Sequence, residues 1–299
     1  MRVFITGATG FIGSAVVSEL IGAGHKVLGL ARSDAGAKRL ADAGADAMRG
    51  SVEDLDSLKR GVAESEGVIH LAFIHDFTDF AGSCAKDKAA IETLGNALAG
   101  SNRPLVVTSG VLGLAQGRPG TEEDVPADVF PRKSEAAGLS FASRGVRASV
   151  IRLSPSVHGD GDHGFVPQLI NLARTKGLAA YVGDGKNRWP GVHRLDAARL
   201  YRLALEKGTA GGRYHGVADE GVPIRDLAEI IGRRLNVPAV SRSAEEVAGM
   251  LGFIGQVLAM DSPCSSKLTQ ERLGWHPTQV GLIADLEKGT YFETKAPLY

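Results

Sequence analysis

Cysteines and long apolar runs are scarce in this 299-residue sequence. The two cysteines, Cys84 and Cys264, lie far apart and form no C-x-x-C pair, which excludes a disulfide-stapled scaffold and is typical of a reducing compartment. The longest largely apolar run, residues 249–260, has about 12 residues, whereas spanning a bilayer takes roughly 18. The sequence therefore excludes a disulfide-rich secreted domain and a membrane-spanning protein.

An excess of charge of either sign is also missing, because 34 Lys and Arg residues balance 34 Asp and Glu residues. A chain with a pI of about 7.1 has no global basic field to attract nucleic acid or an anionic membrane, so we expect neither as a partner. An apolar run at residue 2 leads into a glycine motif at residue 7 and leaves no room for a signal peptide. We therefore expect a cytoplasmic protein, as a monomer or a homodimer.

The first 150 residues alternate short apolar runs with helical patterns. The runs predict strands over residues 2–6, 26–31, 47–49, 68–72, 105–108 and 147–152, and the intervals predict helices that include 54–63, 86–99 and 134–144. The strands are rich in Val, Ile and Leu on both faces, as in a parallel sheet that is covered on both sides. This repetition predicts an α/β fold, a doubly wound parallel sheet built from right-handed βαβ units.

The pattern changes after residue 152. A glycine-rich loop at 159–164 precedes an amphipathic helix at 165–176, a helix within 192–208 and two further helical candidates at 224–235 and 279–292. We therefore predict a sheet domain over 1–153 and a smaller C-terminal substrate cap over 154–299. Residues of about 190–210 are expected to return to the sheet domain.

Three glycines connect the first predicted strand to the first predicted helix. Gly7 permits a tight turn, Gly10 lets the backbone approach a pyrophosphate, and Gly13 lets the helix pack close to the strand. The free N–H groups at the start of the helix favour negative charge. A glycine triplet alone also occurs in turns without a ligand, but an apolar strand before it and a patterned helix after it are the context of a dinucleotide site.

Residues 6–13 (TGATGFIG) have the spacing G-x-x-G-x-x-G, and the chain resembles the short-chain dehydrogenase/reductase superfamily, specifically its extended branch of NAD-dependent epimerases and dehydratases. Residues 68–72 and 106–110 look like the family's fourth and fifth strands, and 150–159 like its sixth strand with the loop beside the nicotinamide. Residues 192–198 and 273–277 resemble its V-H-V-x-D-x-A and L-G-W-x-P segments. The resemblance covers nearly the whole chain and implies an NAD(P)-binding Rossmann fold.

The resemblance implies a cofactor site at the glycine motif and at the ends of the following strands. Its expected residues are Gly7, Thr9, Gly10, Phe11, Ile12, Gly13, Arg32, Ser33, Ser51, Val52, Leu71, Ala72, Phe73, Thr108, Leu153, Ser154 and Pro155. NADP is favoured over NAD, because Ala31 offers no carboxylate for a ribose hydroxyl whereas Arg32 offers a bidentate donor for a 2′-phosphate. The alternative is that Arg32 is a solvated surface charge and that Asp34 reaches the ribose of NAD.

The catalytic Tyr-x-x-x-Lys pair of the superfamily has no counterpart here, because Tyr181 is the first tyrosine in the chain. Alignment on Ser134 and Glu135 puts Ala127 and Pro131 at the tyrosine and lysine positions. The helix asparagine that some members use is also missing around residue 89. The sequence therefore indicates an atypical member that keeps the cofactor site and has lost the usual acid/base set.

Two other residues are the catalytic candidates. Ser109, at the end of the fifth predicted strand, is expected to hydrogen-bond the substrate oxygen or the carboxamide. Lys133 is expected to hold the nicotinamide ribose or to stabilise developing negative charge. A strand-end cap and a solvated charge at a helix start are the alternative roles of these two side chains.

His75, His158, Tyr181 and Trp189 are the candidates for lining the substrate pocket, although packing is an alternative role for His158 and Tyr181. Residues 158–163 combine His and Asp, but one crowded loop supplies too few ligands for a metal, so we expect none. A flexible lid whose glycines allow closure over the substrate is the favoured interpretation of this loop.

These features predict an NADP-dependent oxidoreductase or epimerase-like enzyme that acts on a small carbonyl or alcohol. A redox-inactive protein that binds NADP(H) and senses it is the alternative, which the missing Tyr-Lys pair favours and the substantial cap opposes. A lyase or isomerase that uses NADP without net turnover stays open as a third interpretation.

Overall fold

The computed structural model describes residues 1–127 and 131–293. The last six residues that the sequence assigns to the cap, 294–299, lie outside the described residues. Within the described part of the chain, no helix combines the length and the apolar character that crossing a bilayer requires.

The centre of the described structure is a sheet of seven parallel strands. Its strands are β1 (Arg2–Thr6), β2 (Lys26–Ala31), β3 (Asp46–Arg49), β4 (Gly67–His70), β5 (Pro104–Gly110), β6 (Arg147–Leu153) and β10 (Gly212–Gly216). Their spatial order is β10-β6-β5-β4-β1-β2-β3, so the chain reverses direction across the sheet between β1 and β4. Such a switch point opens a crevice at the carboxyl ends of the strands, where α/β proteins bind ligands.

Helices cover both faces of this sheet. One face carries α1 (Phe11–Gly22), α2 (Asp34–Asp42) and α7 (Arg194–Lys207), and the other carries α3 (Leu55–Ala63), α4 (Phe80–Leu98) and α5 (Ser134–Leu139). The alternation of side chains along a strand divides β1 between the two cores, because Val3 and Ile5 enter the first and Phe4 the second. The prediction of a doubly wound α/β parallel sheet is confirmed.

The second part of the chain adds two small sheets and most of the remaining helices. β7 (Ser156–His158), β9 (Arg188–His193) and β11 (Asp219–Pro223) form one sheet, and β8 (Ala179–Val182) and β12 (Ala239–Arg242) form the other. The helices are α6 (Phe165–Lys176), α8 (Ile224–Leu235), α9 (Ala244–Leu251), α10 (Phe253–Leu258), α11 (Lys267–Leu273) and α12 (Leu282–Lys288). Trp189, Val166 and Leu227 belong to the separate apolar core of this part.

Two predicted elements differ from the structure near the crevice. The predicted strand 68–72 is too long, because Ala72 N donates to the hydroxyl of Thr6 at 3.3 Å and a side-chain acceptor thus replaces the next backbone carbonyl. The helix predicted from residue 86 begins at Phe80 instead, because the carboxylate of Asp79 accepts from Gly82 N at 3.0 Å and caps the helix there.

Two other predicted helices are shorter in the structure, and the one expected within 192–208 is found there as α7, after the end of β9. The one expected over 134–144 ends at Leu139, and a 3₁₀ turn follows at Ala142–Arg144. The one expected over 279–292 begins at Leu282, since Asp196 holds the backbone N–H of Gln279 at 2.9 Å, outside the helix.

Candidate functional site

The glycine turn between β1 and α1 is the first part of the site. Gly7 has φ +71°, and a Cβ on it would lie 2.7 Å from Ala72 N. A Cβ on Gly13 would lie 2.0 Å from the carbonyl oxygen of Gly7, so the strand and the helix approach each other there as the sequence predicted. Gly10 is exposed, and a Cβ on it would meet only that same oxygen, at 3.3 Å. Gly7 and Gly13 therefore serve the fold, and Gly10 leaves backbone open to a ligand.

The start of α1 has the properties of an anion site. No side chain of the described residues caps this terminus, and its first turn contains no acidic residue. The guanidinium of Arg194 lies 5.1 Å from the ring centre of Phe11, and the ring of His163 lies 5.7 Å from it. Backbone N–H groups without a side-chain cap, with the Arg194 guanidinium beside them, fit the pyrophosphate of a dinucleotide.

Two arginines lie at the ends of β2 and β3. Arg32 is exposed and has no hydrogen bond or ion pair with any described residue. Arg49 is in register with Ala31, donates to its carbonyl oxygen at 3.4 Å and lies 3.6 Å from the fully exposed carboxylate of Asp34. The hydroxyl of Ser33 accepts from Gly36 N at 3.1 Å and caps α2. This corner of the crevice therefore offers two guanidinium groups.

Ser51 and Val52 follow β3 and are both partly exposed. The hydroxyl of Ser51 accepts from the backbone N–H groups of Glu53 and Asp54, so it shapes the turn before α3. Leu71, Ala72 and Phe73 are partly exposed at the end of β4, across the switch point from β1.

A buried chain of polar side chains runs beneath the ends of β1 and β4. The hydroxyl of Thr6 bonds to His70 Nδ1 at 2.8 Å, and His70 Nε2 bonds to Asp87 Oδ1 at 3.2 Å. Ser134 Oγ donates to the other oxygen of Asp87 at 2.5 Å. Burial by itself would raise the pKa of Asp87, but the hydrogen bond and charge of His70, with Arg132 and Ser134, hold that pKa below its usual value.

This series of hydrogen-bonded side chains ends at Arg132, a residue that the sequence analysis did not identify as a candidate. Its Nε donates to Ser134 Oγ at 2.8 Å, its Nη2 donates to the carbonyl oxygen of Thr108 at 3.2 Å, and its guanidinium carbon lies 4.3 Å from the ring centre of Phe73. The side chain is partly buried, Nη1 donates to no described residue, and no described carboxylate lies within 4.0 Å. Arg132 is therefore an oriented cation that no described carboxylate contacts directly, and Ser134 Oγ bridges it to Asp87.

Ser109 and Lys133 lie beside this arginine. Ser109 is partly exposed at the end of β5, and its hydroxyl has no hydrogen-bond partner among the described residues. Lys133 is partly exposed and directly precedes α5. Thr108 has its hydroxyl occupied, because it donates to the carbonyl oxygen of His70 at 2.7 Å and bonds to Tyr201 Oη at 2.8 Å.

The expected residues after β6 are mostly covered. Leu153 and Ser154 are buried, and Ser154 Oγ donates to the carbonyl oxygen of Gly216 at 2.8 Å. Pro155 is partly exposed.

Two of the four expected pocket-lining residues are corrected by the structure. Trp189 is fully buried in the apolar core of the second part of the chain, where its ring centre lies 5.3 Å from that of Phe165. His158 is fully buried as well, and its Nδ1 bonds to Asp285 Oδ2 at 2.8 Å. Neither side chain has a surface to offer a substrate.

The other two residues lie in different places. Tyr181 lies in β8, where the guanidinium of Arg225 is 5.8 Å from its ring centre, so both partners of this contact belong to the second part of the chain. His75 is exposed after β4, and its ring centre lies 5.2 Å from that of Phe73. The structure therefore brings only His75 of the four toward Arg132 through a described contact.

The loop 159–164 joins the glycine turn to the C-terminal part of the described chain. Tyr291 Oη accepts from Gly159 N at 3.0 Å and lies 3.2 Å from Asp162 Oδ2 and 3.3 Å from Asp285 Oδ2. Burial raises the pKa of Asp162 to about 6. No group of three or more side chains suited to binding a metal occurs among the residues with described positions.

Comparisons with known proteins agree with this architecture. The model of the NAD-dependent epimerase/dehydratase family matches residues 3–94. An uncharacterized protein of Schizosaccharomyces pombe is 52% identical over 295 residues, which are 98% of this chain and 100% of that one. A ketoreductase of Stigmatella aurantiaca that acts on a 4-hydroxy-2-methyl-3-oxo-4-farnesyl-3,4-dihydroquinoline-1-oxide is 28% identical over 84% of this chain and 80% of its own.

A solved structure shows the shared fold. The dTDP-glucose 4,6-dehydratase of Streptomyces venezuelae, crystallised with NAD, superposes with a TM-score of 0.78 at 20% identity. The superposition covers 98% of this chain and 96% of that one. The likeness therefore extends through the small sheets and helices of the second part of the chain.

Proposed function

The chain belongs to the NAD-dependent epimerase/dehydratase family, and we propose that it is an NADP(H)-dependent oxidoreductase that interconverts a small carbonyl compound and its alcohol. The observation that carries this proposal is Arg132, an oriented guanidinium without a described carboxylate at the end of β5. The relationship to a ketoreductase favours redox chemistry over an isomerase or a lyase.

The glycine turn and the first turn of α1 hold the pyrophosphate, with Arg194 adding positive charge beside Phe11. Arg32 and Arg49 receive the 2′-phosphate of NADP, because no acidic side chain ends β2 and both guanidinium groups lie at that corner. When bound, the nicotinamide cofactor supplies or accepts a hydride. The division into a Rossmann domain over 1–153 and a substrate cap over 154–299 is part of the same proposal.

Arg132 stabilises the negative charge that develops on the substrate oxygen during reduction. A guanidinium keeps its proton at any working pH, so Arg132 supplies charge and not a proton. Ser134 and the carbonyl of Thr108 fix its orientation in advance, which is the condition for effective charge stabilisation. The hydroxyl of Ser109 donates a hydrogen bond to the same substrate oxygen, water supplies the proton of the alcohol, and Lys133 holds the nicotinamide ribose.

The test begins with nucleotide binding. Calorimetric titration of the wild-type protein should show NADPH binding, and Gly10→Val should abolish it, because a side chain then occupies the approach to the backbone. Gly22→Val is the matched control: it lies at the other end of α1, and a Cβ there meets no atom within 4 Å. Unchanged NADPH binding by Gly10→Val would remove the cofactor site from the glycine turn.

Turnover is the second arm. NADPH deuterated at C4 should transfer its deuterium to the carbinol carbon of at least one member of a panel of aldehydes and ketones. NADPH binding without transfer to any member would reject the oxidoreductase and favour the sensor, the alternative function that the missing Tyr-Lys pair supports.

A further inference from the structure

Aromatic rings cluster on the segment between β4 and α4. The ring centre of Phe73 lies 5.2 Å from His75 and 6.0 Å from Phe80, and Phe77 lies 6.1 Å from His75 and 6.2 Å from Phe80. We call these four side chains the aromatic wall. The three phenylalanines are partly exposed and His75 is exposed, so the wall presents apolar ring surface.

The aromatic wall is continuous with the candidate catalytic cation. Arg132 stacks on Phe73 at 4.3 Å and bonds to the end of β5, and Phe73 itself follows β4 at the switch point. A substrate oxygen placed on Arg132 therefore puts the neighbouring part of the substrate on the rings. The three phenylalanine rings of the wall offer dispersion and stacking but no hydrogen bonds for hydroxyl groups.

The cap shows the complementary feature. Every arginine described between residues 154 and 293, apart from Arg194, donates to an oxygen of the protein. Arg188 bonds to Asp261 and Arg225 to Glu229, for example. Arg194 lies on Phe11 at the glycine turn. Seven of these ten arginines have a described carboxylate within 4.0 Å, so most of this positive charge is already paired within the protein.

We propose that the substrate is a flat, apolar carbonyl compound, such as an aryl aldehyde or ketone, and not a nucleotide-linked sugar. This inference rests on the proposed function, since it assumes that Arg132 receives a carbonyl oxygen. The carbonyl group lies at Arg132 and the flat portion lies on the aromatic wall. Sugar hydroxyls would lose water against the three phenylalanine rings, which cannot replace its hydrogen bonds.

The experiment compares benzaldehyde with cyclohexanecarbaldehyde, which have the same carbon skeleton in flat and puckered form. We expect Phe77→Ala to lower kcat/KM for benzaldehyde about 10- to 100-fold, the range of a lost apolar contact in a pocket. The value for propanal, which is too short to reach the wall, should change less than about threefold. Phe77→Tyr keeps the ring and should retain the wild-type value for benzaldehyde.

Three outcomes separate this inference from the proposed function. An equal loss for benzaldehyde, cyclohexanecarbaldehyde and propanal in Phe77→Ala would overturn the aromatic wall as a specificity surface while the reductase stands. Conversion of UDP-glucose or dTDP-glucose by the wild-type protein, with no reduction of aryl carbonyls, would overturn the substrate class. Failure to reduce any carbonyl compound in the presence of bound NADPH would reject the proposed function and this inference with it.

Discussion

Two arginines lie beside the ends of neighbouring strands, and their surroundings are opposite. Arg152, in β6, is fully buried, and its Nε and Nη2 each donate to the carboxylate of Glu135 at 2.7 Å. Arg132, beside the end of β5, is partly exposed and has no described carboxylate within 4.0 Å. The same functional group is therefore saturated in one place and left incomplete in the other.

The surroundings of Arg152 include a neutral histidine. Burial lowers the pKa of His215 to about 4, and its Nδ1 lies 2.7 Å from the carbonyl oxygen of Ser265. A neutral ring that donates from Nδ1 accepts at Nε2, which lies 3.2 Å from Arg152 Nη1. An arginine whose donors all bond to the protein has a structural role. An arginine that the protein orients but whose donors are partly unused can bind a ligand.

The largest expected effect is the loss of stability when Arg152, the fully paired arginine, is replaced. Arg152→Met leaves the carboxylate of Glu135 buried with Arg213 as its remaining partner, so we expect a loss of roughly 3–5 kcal/mol in the free energy of unfolding, toward the lower end. Urea denaturation followed by circular dichroism measures it. The double variant Arg152→Met/Glu135→Leu should recover part of that loss, and a loss below about 1 kcal/mol in the single variant would contradict the assignment.

Replacing Arg132 should have the opposite effect, a large loss of activity with little change in stability. Arg132→Ala should lower kcat/KM for the carbonyl substrate by about 10²- to 10³-fold, or 2.7–4 kcal/mol, as for other preorganised donors to a developing oxyanion. Its unfolding free energy and its NADPH affinity should stay close to those of the wild-type protein.

Arg132→Lys is the matched control, because it keeps the charge but loses the planar group that joins Ser134 to the carbonyl of Thr108. We expect it to recover only part of the activity. Full activity in Arg132→Ala would show that the guanidinium of Arg132 has no part in the reaction.

Asp162 is an intermediate case, a partly buried carboxyl that faces the same tyrosine hydroxyl as a second carboxyl, Asp285. The single proton of Tyr291 Oη faces Asp162 at 3.2 Å and Asp285 at 3.3 Å, and His158 bonds to the same oxygen of Asp285. His193 is the other titratable neighbour, its ring 5.3 Å from that of His158. Two ionised carboxylates cannot both accept one proton, and burial raises the pKa of Asp162 from 3.8 to about 6.

A raised carboxyl pKa makes the folded state bind more protons than the unfolded state between pH 4 and 6, so this group's contribution to stability falls as the pH rises through that window. The shift corresponds to at most about 3 kcal/mol. Asp162→Asn supplies a permanent donor to Tyr291, so it should be more stable than the wild-type protein above pH 6 and should lose this pH dependence. Denaturation curves at pH 4 to 8 measure both, and parallel profiles for the two proteins would contradict the shared proton.

Sequence patterns predict the local part of this molecule well. The glycine turn depends on residues next to one another, and Gly13 meets Gly7 at the predicted approach. The order of the first six strands follows from the period of the apolar residues, but the end of β4 and the ends of several helices were misplaced. Gln279, which the distant Asp196 holds outside α12, is one example.

The polar chain beneath the crevice could not be predicted in this way. Its hydrogen bonds join residues 64 positions apart at Thr6 and His70, and 47 apart at Asp87 and Ser134. At the start of α5 the sequence offers Arg132 and Lys133 side by side, and only the fold shows that Arg132 reaches Ser134 and Thr108. Asp87, close to the residue 89 at which no asparagine was found, has no local feature that marks it as buried.

The smallest effect extends the comparison to a third arginine, Arg32, which is exposed and has no described partner. We expect Arg32 to bind the 2′-phosphate of NADP, as Arg132 is proposed to bind a substrate oxygen. Arg32→Ala should then weaken NADPH binding by roughly 1.5–3 kcal/mol, about 10- to 150-fold, and leave NADH binding unchanged. Arg39→Ala, which replaces an exposed arginine on the following helix, is the matched control and should change neither the NADPH affinity nor the NADH affinity.

Because Arg49 lies at the same corner, the variant Arg32→Ala/Arg49→Ala should lose the remaining preference for NADPH. Calorimetry on the wild-type protein decides the matter first, since equal affinity for NADH and NADPH would make Arg32 a solvated surface charge and the NADP assignment wrong.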